Sequence, residues 1–401
     1  MEEWKTYKIG EIADVQTGPF GSQLHNDDYV SVGTPIVTVE HLGARKFTTQ
    51  NLPLVSLNDK NRLSKYIARE GDIIFSRVGS VDRCSYVSRN EDGWLFSGRC
   101  LRVRPHAGID PLYLYYWFTK ESTKKEIRNV AVGATMPSIN TKLLSDLIIT
   151  VPPYDFQQRV ATILDTIDSK IELNNRINHN LEEQFKTLYK QFFADSNQES
   201  TEVELSKIIS FQEGPGIRNW QYVEKDGIKF INIRCINNGD IDTSTANMIS
   251  EEDAYGKYKH FLLEKNDIVM SCSGTLGRYA IVRREHLPLC LNTSVIRFKA
   301  KEQPDDFAFI YGFLTSSEFL NRQQELACGS VQANFGPTHL KAMTIREFPA
   351  EYRREFSQKT QPILDKLIKN LKENSKLQQL RDSLLPRLIS GELTYNTSLK
   401  I

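Results

Sequence analysis

The sequence lacks the short motifs by which most enzymes hold a cofactor or a metal. It contains no Gly-x-x-x-x-Gly-Lys-Ser/Thr phosphate loop, which excludes ATP-driven translocation by this chain, and no Gly-x-Gly-x-x-Gly loop for a nucleoside cofactor. The seven histidines include no His-x-x-x-His pair, and the one Glu-x-Lys, at Glu3, has no upstream Pro-Asp partner. We therefore expect no catalytic residue, no metal and no cofactor in this chain.

Cysteine pairs and long hydrophobic runs are also missing. The six cysteines include no Cys-x-x-Cys pair, which argues against a zinc knuckle and for reduced, mostly buried thiols. They are Cys84, Cys100, Cys235, Cys272, Cys290 and Cys328. No apolar run approaches the ~18 residues of a membrane span, and the opening Met1 to Lys5 does not resemble a signal peptide. We expect a cytoplasmic protein without a membrane partner.

Basic residues are not in excess. Lys and Arg number 51 against 50 Asp and Glu, which gives a net charge of +1. A domain that binds DNA strongly by itself usually carries a basic surface that neutralises phosphates. The charge balance therefore favours a DNA-recognition protein that depends on basic partner subunits over a protein that binds DNA strongly by itself.

What the sequence does contain is an internal repeat. The segment from Gly71 to Arg83 returns as Asn266 to Arg278, with its Asp, Ser, Gly and Arg in register. Gln16-Thr17-Gly18-Pro19 likewise returns as Gln212-Glu213-Gly214-Pro215. A period of about 195 residues indicates a duplicated domain rather than a solenoid.

Each copy ends in a stripe of residues at heptad spacing, which predicts two helices that pair as a coiled coil. The first stripe is Ile167, Ile171, Asn174, Asn178, Leu181, Phe185, Leu188 and Phe192. The second stripe is Ile363, Leu367, Asn370, Asn374, Leu377, Arg381, Leu384 and Leu388. Only Phe185 against Arg381 breaks the correspondence. Asn at the same two positions of both stripes is expected to fix the register, because a slipped partner leaves its amide unsatisfied.

The pattern of elements predicts four segments, namely residues 1–150, 151–197, 198–350 and 351–401. Strand-like runs with intervening turns, followed by helical stretches at 112–129 and 307–326, predict an α+β domain in each repeat. The predicted strands are 35–39, 72–76, 85–87 and 101–103 in the first repeat and 228–233, 267–271, 280–282 and 294–298 in the second.

A long helix is predicted to follow each domain. The first should begin near Phe156, where Asp155 and Gln158 resemble a capping box, and run to about Phe193. The second should begin near Glu351 and kink or end at Pro386. If the two units pack about a pseudo-two-fold axis, the helices run antiparallel and act as a spacer between two readers.

A glycine turn with a following arginine is the candidate DNA-reading element of each repeat. The residues predicted to contact DNA are Arg77, Gly79, Ser80, Arg83, Ser273, Gly274, Thr275 and Arg278. Glycine allows backbone amides to approach phosphate closely, and arginine can bridge O6 and N7 of guanine in the major groove. The competing interpretation is a tight β-turn whose arginine pairs with a nearby acid.

Two other classes of function stay open. Pro152-Pro153-Tyr154 is similar to the core of amino-methyltransferase sites, but Val151 stands where an Asn or Asp would accept the adenine amino group. A self-sufficient DNA adenine methyltransferase would bind S-adenosylmethionine as the pure chain. A coiled-coil scaffold that never meets DNA would show no change of mobility with duplex DNA.

Four motifs in order, given partly twice, resemble the specificity subunit of type I restriction-modification systems. They are the domain opening, the strand and turn from Gly71 to Ser80, the helix start from Val151 to Asp165, and the ending from Leu384 to Leu393. The resemblance covers nearly the whole chain.

The resemblance implies two target-recognition domains, each reading one half of a split double-stranded DNA site, joined by two long antiparallel coiled-coil helices. It implies a non-catalytic subunit that docks methyltransferase subunits, in our expectation two, and restriction subunits with the nuclease and motor. S-adenosylmethionine, ATP and Mg²⁺ would then belong to those partners. The two half-sites should also differ, since Arg77 stands against Cys272 and Asp82 against Gly277.

Overall fold

The structure, a computed structural model, describes residues 4–20, 23–43, 45–133, 135–301, 306–327 and 334–393. Its contacts divide the chain into two units, residues 1–171 with 376–401 and residues 172–375. Each unit therefore holds one recognition domain and parts of both long helices. The predicted boundaries at 150, 197 and 350 follow the chain, whereas the spatial units cut through the helices.

The first unit mixes strands and helices in its described part. Strands β1 to β10 are Lys5–Lys8, Ala13–Thr17, Tyr29–Val30, Thr34–Val37, Leu54–Val55, Ile73–Ser76, Cys84–Tyr86, Leu95–Phe96, Cys100–Pro105 and Ile148–Val151. Helices α1 to α6 are Ile9–Ile12, Leu57–Arg62, Pro111–Thr119, Glu121–Val130, Thr141–Ser145 and Tyr154–Tyr189. A π-helical turn, Lys190–Ala194, continues α6.

Two four-stranded sheets form the body of the first domain. One is antiparallel, in the order β2-β9-β6-β7, and the other has the order β3-β5-β4-β8, with β4 and β8 parallel. All four residues of β6 are buried, as expected for a short apolar run inside a sheet. β1 pairs with β10 directly before α6, with Lys5 opposite Val151. This pairing was not predicted.

Helix α3 forms because its start is capped and its sides are buried. The carboxylate of Asp110 accepts a hydrogen bond from the N–H of Tyr113 at 2.8 Å, and Pro111 occupies the first turn. Residues 113–118 are all buried, and a helix that is apolar on every side belongs in a core.

The second unit repeats the order of elements and adds one two-stranded sheet, β15-β16 (Ile236–Asn237 and Asp240–Ile241). Strands β11 to β22 are Thr201–Glu204, Ile209–Glu213, Tyr222–Val223, Gly227–Ile231, Ile236–Asn237, Asp240–Ile241, Asn247–Ser250, Ile268–Ser271, Tyr279–Ile281, Leu289–Leu291, Val295–Ala300 and Thr344–Glu347. Helices α7 to α12 are Leu205–Ile208, Glu251–Tyr255, Phe307–Thr315, Ser317–Ala327, Pro337–Lys341 and Ala350–Ile389.

The two domains share one topology. The antiparallel sheet of the second has the order β12-β21-β18-β19, and its mixed sheet has the order β13-β17-β14-β20, with β14 and β20 parallel. Ile73 pairs with Val103 in one sheet and Ile268 with Phe298 in the other, in the same register. The predicted α+β fold and its duplication are confirmed.

Each predicted helical stretch after the strands proves to be two helices. α3 and α4 are separated at Lys120, and α9 and α10 at Ser316, both with extended backbone (φ −61°, ψ 133° and φ −67°, ψ 149°). The apolar pattern of α3 and α9 therefore belongs to the core alone. The amphipathic α4 and α10 cover it.

The long helices run antiparallel in the second unit. Nδ2 of Asn174 donates to Oδ1 of Asn374 at 2.9 Å, and Nδ2 of Asn370 donates to Oδ1 of Asn178 at 2.8 Å. All four side chains are at most 6% exposed. As the residue number rises along α6 from 174 to 178, the number of the partner on α12 falls from 374 to 370. The two helices are therefore antiparallel.

Helix α12 continues through Pro386 and ends three residues later, at Ile389, so an end at Pro386 is wrong and the alternative, a kink there, stays a prediction. The N–H of Ser390 still donates to the carbonyl of Pro386 at 3.0 Å. Pro386 has no N–H to donate to the carbonyl of Asp382, four residues earlier. Both residues are exposed, so this carbonyl can bond to water instead.

Two further expectations concern membrane spans and thiols. Within the described residues no helix is long and apolar enough to cross a membrane. Five cysteines are buried free thiols, namely Cys84, Cys100, Cys235, Cys272 and Cys290. Cys328 lies outside the described residues.

Candidate nucleic-acid interface

The first candidate turn follows strand β6. Gly79 has φ +73°, and a Cβ built there would meet no atom within 4 Å, so the space beside the turn is open. Gly79 and Ser80 are exposed. The N–H of Gly79 donates to the carbonyl of Pro137 at 2.8 Å, and that of Arg83 to the carbonyl of Ser80 at 3.0 Å. These two amides are therefore already used within the protein.

The second candidate turn follows strand β18 and is closed by Ser271. Its Oγ donates to the carbonyl of Thr275 at 2.7 Å and accepts from the N–H of Arg278 at 3.0 Å. Gly274 (φ +70°) and Thr275 are exposed, and Ser273 is half-buried. This turn presents one glycine, one hydroxyl and one arginine to solvent.

Arg77 does not lie with the rest of its predicted cluster. Its guanidinium carbon is 4.5 Å from the ring centroid of Phe20, and its Nη1 donates to the carbonyl of Gly98 at 3.3 Å. It lines a cleft of about 580 Å³ whose polar walls also include Thr38, Asn51 and Arg99. Ser80 and Arg83 line another cleft. The residues of the first repeat that were predicted to contact DNA together therefore lie in two different clefts.

The cleft of Ser80 and Arg83 measures about 370 Å³ and is also lined by Asp168 of α6 and Arg381 of α12. A nitrogen of the Arg83 guanidinium, Nη2, donates to the carbonyl of Val39. The arginine therefore ties its turn to the segment after β4 through a backbone carbonyl rather than through an acid.

Arg278 lies in an equivalent cleft of the second unit. This cleft measures about 520 Å³ and includes Asn175, His179 and Glu182 of α6. Nη1 of Arg278 is 3.5 Å from Oδ1 of Asn237. Both turn arginines thus stand where their domain meets a long helix, and each contacts another segment of its own domain, at Val39 or at Asn237 of β15.

The turns differ in local charge. Asp82 accepts a hydrogen bond from Arg128 of α4, which also bonds to Glu121 at 2.6 Å. The second turn has Gly277, with φ +78°, at the position of Asp82. The first turn therefore carries a paired acid and the second carries none at this position.

A buried aspartate precedes the central strand in both repeats, with different partners. Both oxygens of Asp72 accept hydrogen bonds from Arg104, each at 2.7 Å. Lys299 occupies the position of Arg104 in the second repeat and pairs with Glu264 instead. Burial then raises the pKa of Asp267 to about 6. The buried aspartate below the second turn therefore lacks the doubly hydrogen-bonded arginine partner that Asp72 has below the first turn.

The predicted pairing residues are all buried or half-buried. The buried ones are Ile167, Ile171, Asn174, Asn178, Leu367, Asn370 and Asn374. The half-buried ones are Leu181, Leu188, Ile363, Leu377 and Leu384. The buried stripe is wider than the predicted seam, since Leu164, Leu371 and Leu385 are buried as well. Each helix packs on a domain as well as on the other helix.

Sequence reasoning missed several residues of these clefts. Phe20 follows the repeated Gln-Thr-Gly-Pro segment directly, and Asn51 has a left-handed φ of +55° that its residue type favours. Asp168 was also missed, although Arg381, its partner, is the break in the heptad correspondence. A search for charges that compensate this break would have found it.

The chain belongs to the family described as "Type I restriction modification DNA specificity domain". The family matches the chain twice, over residues 1–183 and 197–381. These two matches cover most of the chain and coincide with the two repeats.

Named relatives and a solved structure agree with this assignment. The chain is 22% identical to the Type I restriction enzyme HindI specificity subunit of Haemophilus influenzae, covering 98% of this chain and 100% of that protein. It is 24% identical to the MjaIX specificity subunit of Methanocaldococcus jannaschii, covering 98% and 94%. The crystal structure of a type I restriction-modification S subunit from M. genitalium has the same fold, with a TM-score of 0.56 and 16% identity over 96% of each chain.

Proposed function

We propose that this chain is the sequence-specificity subunit of a type I restriction-modification complex and that each repeat reads one half of a bipartite DNA target. The observation that carries this proposal is the double family match, together with the same strand order in both units. The differences between the two turns, with Arg77 against Cys272 and Asp82 against Gly277, support two unlike half-sites.

The chain has no catalytic activity of its own in this proposal. Two methyltransferase subunits dock on the paired helices and supply the S-adenosylmethionine site, and restriction subunits supply the nuclease and the ATP- and Mg²⁺-dependent motor. The missing nucleoside and phosphate loops support this division of labour. The net charge of +1 supports phosphate neutralisation by partner subunits. The complex acts on duplex DNA in the cytoplasm.

The test compares the purified chain with the chain assembled with its methyltransferase subunits. We expect the chain alone neither to methylate nor to cut duplex DNA, and we expect methylation at one bipartite sequence once the methyltransferase is added. Methyl transfer by the isolated chain would favour the self-sufficient methyltransferase. If neither sample changes the mobility of any duplex, the coiled-coil scaffold that does not bind DNA would be favoured.

The long helices are proposed to set the gap between the half-sites. α6 has 36 residues and α12 has 40, which correspond to about 54 and 60 Å at about 1.5 Å per residue. These lengths are comparable to about one and a half turns of DNA. The buried asparagines hold one register, so the length is fixed by the sequence.

A double heptad insertion tests this spacer. One heptad goes between Leu181 and Phe185 and the other between Ile363 and Leu367, because continuation of the asparagine register places these sites opposite each other. Seven residues add about 10 Å, or roughly three base pairs at about 3.4 Å each. Methylation mapping should show the same half-sites with a longer gap.

The matched control carries the first insertion alone, which displaces the pairing of one helix and should destabilise the chain. An unchanged gap in a folded, active double insertion would mean that the helices do not set the spacing.

A further inference from the structure

A buried carboxylate joins the first recognition domain to both long helices. Asp168 of α6 is 7% exposed. Its Oδ1 accepts a hydrogen bond from Nη1 of Arg381 on α12, and its Oδ2 accepts one from the hydroxyl of Tyr116 on α3, both at 2.9 Å. One side chain thus connects three helices within the first unit.

A second polar contact lies next to it on α6. Arg45, from the loop after β4, pairs with Asp165 and donates from Nη1 to Oγ of Ser169 at 3.3 Å. The first domain therefore holds the helix through directional bonds at two neighbouring sites. A directional bond fixes an angle as well as a distance.

The second unit uses apolar residues at the equivalent positions. Leu364 stands where the first unit has Asp168, and Phe185 where it has Arg381; both are 1% exposed. The ring centroid of Phe185 is 5.2 Å from that of Tyr311. The break in the heptad correspondence is thus one member of an exchanged pair, ionic in one unit and apolar in the other.

The second unit has other polar contacts with the helices. Glu182 of α6 is hydrogen-bonded to Tyr279, and both line the cleft of Arg278. Oγ of Ser375 on α12 is 3.2 Å from Nη2 of Arg283 and 3.4 Å from Oδ2 of Asp240. Neither side chain belongs to the recognition turn, whereas Asp168 and Arg381 line the same cleft as Ser80 and Arg83. Beside its turn the first unit therefore places an ion pair between the two long helices, whereas the second unit places Glu182 of α6 with Tyr279 of its own domain.

We propose that Asp168 is a positioning residue, which fixes the angle of the first recognition domain on the helix pair and so the register of the first half-site. Tyr116 and Arg381 are the groups through which it acts. Apolar packing alone is non-directional and would tolerate small rotations of the domain. This inference rests on the proposed function, because it concerns how strictly the gap is measured.

The test uses the assembled methyltransferase complex and a DNA library in which the gap between the half-sites varies. Asp168→Asn keeps the shape and the bond to Tyr116 but loses the charge that Arg381 holds. We expect the ratio of methylation at neighbouring gaps to methylation at the parental gap to rise about tenfold, as for the loss of one charge-assisted hydrogen bond. Both half-site sequences should stay unchanged.

The matched control is Asp146→Asn, which breaks the exposed ion pair with Lys8 (2.9 Å) in the same unit. Its gap ratio should equal that of the parent. If the parent complex methylates no bipartite site, the proposed function fails. If the parent is gap-selective and Asp168→Asn has the same ratio, or only lowers methylation at all gaps alike, the positioning role fails.

Two further variants keep the inference testable if Asp168→Asn does not fold. Tyr116→Phe removes one hydroxyl from the same site and should widen the accepted gaps in the same direction. The triple variant Y116F/D168L/R381F imports the apolar pair of the second unit and should fold with a widened gap preference. A triple variant as strict as the parent would show that packing suffices and would overturn the role of Asp168.

Discussion

The two units join a recognition domain to the long helices with opposite choices of large and small residue. In the first unit the domain contributes Tyr116 and the helix contributes Leu385, and both line one cleft. In the second unit the domain has Gly312 and the helix has Tyr189. A Cβ at Gly312 would lie 2.1 Å from Cδ2 of Tyr189, so the ring of the helix residue fills the space beside the glycine.

The differences between the two repeats therefore come in matched sets. Where the domain has the smaller residue the helix has the larger one, and the charge of Asp168 is paired with that of Arg381. Close-packed interiors require such compensation, because either overlap or a void is destabilising. Each domain is therefore fitted to its own helix segments, and a domain moved alone to the other site would meet the wrong partners.

The largest expected effect comes from placing the charge of the first unit into the second without its partner. Leu364→Asp should lower the free energy of unfolding by about 3–5 kcal/mol, the cost of an unpaired buried charge. The double variant F185R/L364D should recover much of this loss. Urea unfolding measures both, and Lys366→Asp, at an exposed site of α12, is the control. Equal stability of Leu364→Asp and the parent would contradict the comparison.

A second prediction concerns the buried aspartates below the turns. Because the folded-state pKa of Asp267 is raised from 3.8 to about 6, its contribution to stability is full below pH 3.8 and lost as pH rises through about 6. The loss is about 3 kcal/mol at about 1.4 kcal/mol per pKa unit. Lys299→Arg places at this position the residue type that pairs with Asp72 in the first repeat. It should reduce the dependence of the free energy of unfolding on pH.

Unfolding measured from pH 4 to pH 7 checks the effect of Lys299→Arg. Lys301→Arg, at an exposed neighbouring site, should behave as the parent. If the Lys299→Arg variant and the parent show the same pH dependence, the missing arginine is not the cause.

The smallest effect is expected at the turns. Arg83→Ala should weaken or relax recognition of one half-site, and Arg278→Ala that of the other, each by about 1–3 kcal/mol if the contact is bidentate to a base. Thermal unfolding should accompany the binding assay, since Arg83 also holds the carbonyl of Val39. Uniform weakening on all sequences with a shallower salt slope would assign both arginines to phosphates.

The repeat and the helices could be predicted because periodicity survives in sequence. Duplicated turns, buried strands and heptad spacing each leave a local pattern. The antiparallel asparagine pairs give each of the four buried amides one hydrogen bond, although Oδ1 of Asn174, Nδ2 of Asn178 and Oδ1 of Asn370 have no partner among the described residues. The end predicted at Pro386 lies three residues before the observed end at Ile389, because a proline weakens a helix less in its last turns than in its middle.

The clefts could not be predicted in the same way. Arg77 and Arg83 are six positions apart, yet they line different clefts, because the chain reverses between them. Asp168 meets Tyr116 and Arg381 only through tertiary packing. Such contacts join distant segments, and sequence spacing alone carries no distance between them.

The division of the long helices has a consequence for folding during synthesis. The core of the first unit includes Leu385, Leu388 and Ile389, which the ribosome adds after both recognition domains. The buried residues in the main core of the second unit lie between 185 and 364. Domains usually fold in the order in which they are made. Here the domain that is made first has a complete core only after residues 385–389 of α12 are made, whereas the main core of the domain made second is complete at Leu364.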